Sequence, residues 1–160
     1  MRGILTIRKL SAGGKLRTNL LAVLSAQLEN VEACGNAVLE SSGLSRAAIH
    51  DMRVAARRVR AVLKVFRGVF DRKELKGHMR TLTRVIRALG PVRDCDIIME
   101  NLRAMRRTAE GADRDLIDAL IGRQKQVRGE QLRSLQGVLR GLQRENGLKS
   151  LADFLGASLA

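Results

Sequence analysis

The sequence predicts an all-α fold, an antiparallel bundle of four to five helices. Three observations carry that expectation. Leu, Ala, Val and Arg dominate the composition and Pro91 is the only proline, so intrinsic propensity favours helix almost throughout. Apolar residues recur three and four positions apart over long stretches, the period of a helix with one buried face. The stretches are separated by short Gly- and Asp-containing breaks, which make successive helices antiparallel neighbours. The one short β-branched segment with period two is Ile4–Ile7. A chain of 160 residues suits a single domain with one core. That domain is expected to span 1–160, with an N-terminal arm at 1–16 and a C-terminal tail at 146–160.

The elements follow in order. "SAGGK" at 11–15 is a loop signal. The first helix is expected over about 17–40, with Leu20, Leu24, Leu28, Val31 and Val38 on its apolar stripe. Gly43 ends it and Ser45 caps the next helix. In that second helix Ile49, Met52, Ala56, Val59, Leu63, Phe66 and Phe70 are spaced 3,4,3,4,3,4, so one helical stripe is expected as far as Phe70. A third helix is expected from about 74 to 89 on Leu75, Met79, Leu82, Ile86 and Leu89. "GPVRD" at 90–94 stops it, since proline disfavours helix at the residue before it. Asp94 or Asp96 would then cap a fourth helix. A break at "GAD" (111–113) leads into a long helix reaching about 144, with Gly129 as a kink point. The tail from 146 is expected to be a short, frayed helix.

Charge is distributed unevenly. The net charge is +14. Residues 41–93 hold fourteen Lys and Arg against three acids, whereas residues 94–160 hold eleven against ten. On the second helix His50, Arg53, Arg57, Arg60, Lys64 and Arg67 are spaced 3,4,3,4,3, each one position after a stripe residue. One position is 100° of rotation, so a cationic line about 25 Å long is expected beside the buried seam. The third helix repeats the design with Lys76, Arg80 and Arg87, Arg84 nearby, and Arg93 just after it. Arg58 falls off the line and is expected to be solvated. Arg123, Lys125, Arg128 and Arg133 are weaker candidates on the last long helix.

A solubilising face normally mixes signs. This line has no acid among its six positions, at the spacing where like charges repel. A polyanion would relieve the repulsion and release counterions. Of the 30 cations 23 are Arg, the side chain suited to two-donor contact with phosphate oxygens. Readers of single-stranded nucleic acid generally need aromatic stacking platforms. Here there is no Trp or Tyr, and Phe66 and Phe70 belong to the core stripe. Reading a duplex major groove calls for Asn or Gln beside Arg, and the line has neither. A ligand made only of phosphate, such as inorganic polyphosphate, or an acidic partner fits better.

"AIHDMRVAARRVRAVLKVF" (48–66) followed by "LTRVIRALGPVRDCDIIMENL" (82–102) resembles the CHAD family, the conserved histidine α-helical domain. The matching positions are His50, Arg53, Arg57, Arg58 and Arg60, then Leu89, Gly90, Arg93, Asp94 and Asp96. The resemblance implies a helical bundle that binds inorganic polyphosphate, without catalysis, through a basic surface. It carries over His50, Arg53, Arg57, Arg60 and Arg93. The spacing argument adds Lys64, Arg67, Arg80, Arg84 and Arg87. A full-length domain of that family resembles two four-helix halves, and this chain looks like one of them: either it forms a homodimer that rebuilds the two-lobed surface, or it is a truncated or degenerate form.

Other functions compete for the same residues. A basic, non-specific nucleic-acid-associated protein is the alternative. A metal-dependent phosphohydrolase would use Asp94 and Asp96 as a carboxylate pair. They are expected instead to be structural, one capping a helix and one holding an Arg of the line. His50 would donate to phosphate or order the site. His50 and His78 with Asp94 and Asp96 show no metal-ligand spacing, no phosphate-binding glycine loop or catalytic triad appears, and no cofactor is implied. Cys34 and Cys95 are expected to be reduced structural residues. "MRGILTI" lacks a long apolar core and no apolar stretch reaches the roughly 18 residues of a membrane span. A cytoplasmic location is expected, with polyphosphate granules as the place of association.

Overall fold

The computed structural model describes residues 16–40 and 46–159. The arm at 1–15, and the Gly43 and Ser45 assignments, lie outside the described residues. Helix α1 (Leu16–Glu40) buries all five predicted stripe residues. Helix α2 (Arg46–Val65) holds Ile49, Met52, Ala56, Val59 and Leu63 at 0% exposure. It stops five residues short of Phe70. Val69 N donates to Phe66 O at 2.9 Å, closing a 3-10 turn over Arg67–Val69. Gly68 sits in that turn, where its low helix propensity favours a break. Phe70 is extended (φ −110°, ψ 153°) yet still buried, its ring centroid 5.6 Å from that of Phe154. The sequence period continues through the break because the tight turn returns the chain to the core.

Asp71 then caps α3 (Arg72–Arg106), its Oδ1 accepting from Lys73 N and Glu74 N, both at 2.9 Å. Asp71 and Glu74 have the spacing of a capping box. The expected stop at 90–94 is absent: α3 runs 35 residues with Pro91 inside it. Proline costs about 3 kcal/mol in a helix interior. Pro91 is exposed, while Val85, Leu89 and Val92 beside it are fully buried. Each such burial is worth about 1.5–3 kcal/mol, so packing on both sides outweighs the break. Asp94 and Asp96 therefore lie mid-helix and cap nothing.

After a short turn, Gly111 (φ 53°) opens α4 (Gly111–Arg144), which runs unbroken past Gly129. Arg106 near the end of α3 pairs with Asp118 through both its Nε and Nη2, the latter at 2.9 Å from Oδ2. The pair lowers the Asp118 carboxyl and raises the Arg106 guanidinium relative to their ordinary values. Asn146 (φ 50°) turns the chain. A Cβ on Gly147 would lie 2.8 Å from Leu142 Cδ1, so a larger residue at that corner would displace the buried Leu142 side chain. The tail is not frayed. Residues Gly147–Leu159 form α5, which buries Leu151, Phe154, Leu155 and Leu159 and packs chiefly on α1. The His78 ring stacks on Phe154 with centroids 4.7 Å apart.

Two core layers fix the topology. In one, Leu20, Leu24 and Leu28 of α1 meet Val59 and Leu63 of α2, Leu75 and Leu82 of α3, and α5. In the other, Val31 and Val38 of α1 meet Ile49 and Met52 of α2, Val85 to Val92 of α3, and Leu132 to Leu142 of α4. The early half of each helix thus pairs with the late half of the next, so the helices are antiparallel. The end of α3 and the start of α4 belong to neither layer and form a two-helix hairpin. Among the described residues no helix is long and apolar enough to cross a membrane. Cys34 and Cys95 are free thiols.

Candidate functional site: a cationic surface on α2 and α3

The buried stripe of α2 determines where its cations go. With Ile49, Met52, Ala56, Val59 and Leu63 fully enclosed, the positions one step on are turned toward solvent. His50, Arg57, Arg60 and Lys64 are exposed and Arg53 is partly covered. Four helical turns separate His50 from Lys64, a line of about 21 Å. Arg67 is exposed on the 3-10 turn, beyond the end of α2, so the line departs from one helix axis there.

The structure divides the predicted residues between two concavities. One of about 390 Å³ is lined by His50, Arg53, Val54, Arg57, Arg58, Arg93, Asp94 and Ile97. It brings α2 and α3 together. Arg53 reaches across to α3, where a Cβ on Gly90 would lie 3.9 Å from its Nη1. The other, about 510 Å³, is lined by Lys76, Met79, Arg80, Thr83, Arg84 and Arg87, all on α3. Arg60, Lys64 and Arg67 line neither. Arg58 is exposed, as expected, and also lines the first concavity. The adjacent Arg–Arg pair in the motif was the available signal; spacing on α2 alone could not show that α3 crosses beside it.

The two concavities share one face of α3. Lys76, Arg80, Thr83, Arg87, Asp94 and Ile97 are spaced 4,3,4,7,3, a repeat that keeps side chains on one side of a helix. That line is about 31 Å long. It exists only because α3 continues through Pro91; two helices meeting at a corner would have split it.

Anion partners are few. Arg84 Nη2 lies 2.7 Å from Glu145 Oε2 and Arg93 Nη1 lies 3.5 Å from Glu100 Oε1. Arg53, Arg57, Arg60, Lys64, Arg67, Arg80 and Arg87 make no ion pair with the described residues. Arg84 holds the Glu145 carboxyl below the usual range.

Asp94 and Asp96 part company. Asp94 is exposed at the rim of the first concavity. Asp96 is completely buried, with Arg128 Nε donating to its Oδ1 at 2.7 Å and Arg46 Nε at 3.5 Å. It thus holds cations of α4 and of the start of α2, not an Arg of the cationic line. Arg128 is itself buried, so it leaves the group of weaker surface candidates. Glu100 also lies 3.8 Å from Arg46 Nη1. These carboxylates join three helices next to His50. Among the described residues no group of three or more His, Cys, Asp or Glu is placed to hold a metal ion.

Comparison with curated proteins gives no match. The family model described as the CHAD domain matches residues 22–160, a span that takes in most of α1, the other four helices and both concavities. The chain belongs to the CHAD domain family, which is associated with polyphosphate binding.

Proposed function

We propose that the protein binds inorganic polyphosphate, without catalysis, along the cationic surface of α2 and α3. The observation that carries this reading is the set of seven surface cations, Arg53, Arg57, Arg60, Lys64, Arg67, Arg80 and Arg87, without a carboxylate partner among the described residues. On α2 each of Arg53, Arg57, Arg60 and Lys64 follows a fully buried residue, so their backbones are held close together despite the repulsion. A flexible chain of phosphates neutralises several at once and releases counterions.

Two further observations favour phosphate over nucleic acid and over hydrolysis. Phe70 and Phe154 are buried and packed together, and Phe66 is partly covered, which leaves no aromatic platform for bases. Asp96 is committed to Arg128 inside the bundle, so Asp94 and Asp96 do not face one ligand as a metal-binding pair. Location in the cytoplasm, in association with polyphosphate granules, follows from this reading as part of the proposal.

Titration with long-chain polyphosphate, and with DNA and RNA at matched phosphate concentration and two salt levels, tests the reading. Tighter binding of polyphosphate is expected; equal affinity for all three would overturn it. The double variant Arg53→Glu, Arg57→Glu is expected to lose binding with helical content unchanged. Release of orthophosphate in magnesium would overturn the non-catalytic part.

A further inference from the structure

The hairpin made by the end of α3 and the start of α4 leaves an apolar face open. Seven large apolar side chains are exposed among the described residues, and five lie here: Ile97, Ile98, Met105, Leu116 and Leu120, at 41–61% exposure. They are not scattered. Ile98 precedes the buried Met99 by one residue, Leu116 precedes Ile117 and Leu120 precedes Ile121. Each outward side chain is therefore turned about 100° from its own buried line, in the same sense. In two antiparallel helices that offset places both lines on the same side of the pair. Met105 is seven residues from Ile98 and extends its line.

Charge selects the occupant. Residues 97–123 hold five Lys or Arg and five acids, a neutral stretch in a chain of net charge +14. Two copies approaching through other surfaces bring excess positive charge together; here they do not. A two-helix face laid on its own twofold mate gives four helices around one apolar seam. The Arg106–Asp118 ion pair also links the two helices of the hairpin.

We propose that this hairpin face is a self-docking surface through which two copies of the chain associate. The apolar part, from Ile98 to Met105, is about 11 Å long and two helices of about 10 Å wide. Two such faces bury on the order of 400 Å², well below a stable interface and at the low end of weak encounters. The association is accordingly weak and reversible, with a dissociation constant between about 1 µM and about 1 mM. Ile97 lies about 100° further round α3 than Ile98, between this face and the cationic concavity that it lines. A docked copy therefore stands near the rim of the anion site.

Sedimentation equilibrium on the full chain without polyanion tests the surface independently of the ligand. A mass rising from one chain to two with concentration is expected. Leu116→Glu with Leu120→Glu is expected to weaken the association at least tenfold with helical content and melting unchanged. Met105→Lys on the facing helix gives the same test should the double variant lose its fold. A single-chain mass at every concentration up to about 1 mM overturns the proposal. So does an association that the folded variants leave intact.

Discussion

Glu145 sits where the α4–α5 corner meets the cationic row of α3. Its carboxylate accepts from Arg84 at 2.7 Å and is held below the ordinary glutamate range by that contact. A phosphate arriving at Arg84 has to displace it. Both side chains are about half exposed, so water screens the pair and the competition is mild. Glu145→Gln is expected to tighten polyphosphate binding near neutral pH, by less than about fivefold. The pH dependence has a definite sign. A depressed carboxyl stays charged down to an acidity below the usual glutamate range, and below that Glu145 itself becomes neutral. The gap between wild type and variant should therefore close in strong acid and persist at pH 6–8. Binding isotherms at several pH values check this; a gap that does not depend on pH would show that Glu145 does not compete by charge.

At the scale of elements, the joint between α2, α3 and α4 turns on Asp96. It is wholly buried and pairs both with Arg128, itself buried, and with the more exposed Arg46. Asp96→Ala removes the buried carboxylate paired with the Arg128 guanidinium, expected to cost about 3–5 kcal/mol. Asp96→Leu with Arg128→Met removes both charges and should recover most of the loss. Urea denaturation of both variants decides it; equal losses would mean that packing volume, not charge, holds the joint. The sequence led to the expectation that one of the two Asp holds an Arg, but not that Asp96 is buried or that its partners are Arg128 and Arg46. The stripes of α1 and α2 were legible because each is one helix with one buried face, as Leu20 to Val38 and Ile49 to Leu63 show. The continuity of α3 was hidden because the local rule at Pro91 is sound and is overridden only by burial of Leu89 and Val92 against other helices. The tail from 146 likewise became a packed helix through contacts with α1 and α3. The cations of α2 were legible for the same reason as its core, being one step out of register with it. Arg58 joined the site, and Asp96 left the cap position, only when α3 and α4 were set beside α2.

Across the whole molecule, the question is whether the two concavities act as one surface. Between them they expose eight Lys and Arg: Arg53, Arg57, Arg58, Arg93, Lys76, Arg80, Arg84 and Arg87. The two concavities follow one another along α3 with no break in the helix between them. For a flexible single-stranded polyanion, log K falls with log salt with a slope of about −0.7 per cation engaged. A polyphosphate long enough to run the length of α3 should then approach a slope of about −6, and one that fills a single concavity about −3. Arg80→Gln with Arg87→Gln should bring the long-chain slope toward the short-chain value, while barely affecting short chains bound at the α2 concavity. Affinities of short and long polyphosphate measured at four or more salt concentrations test this. Equal slopes for the two lengths would mean that the concavities bind separately. The unbroken passage of α3 through Pro91 would then serve packing alone.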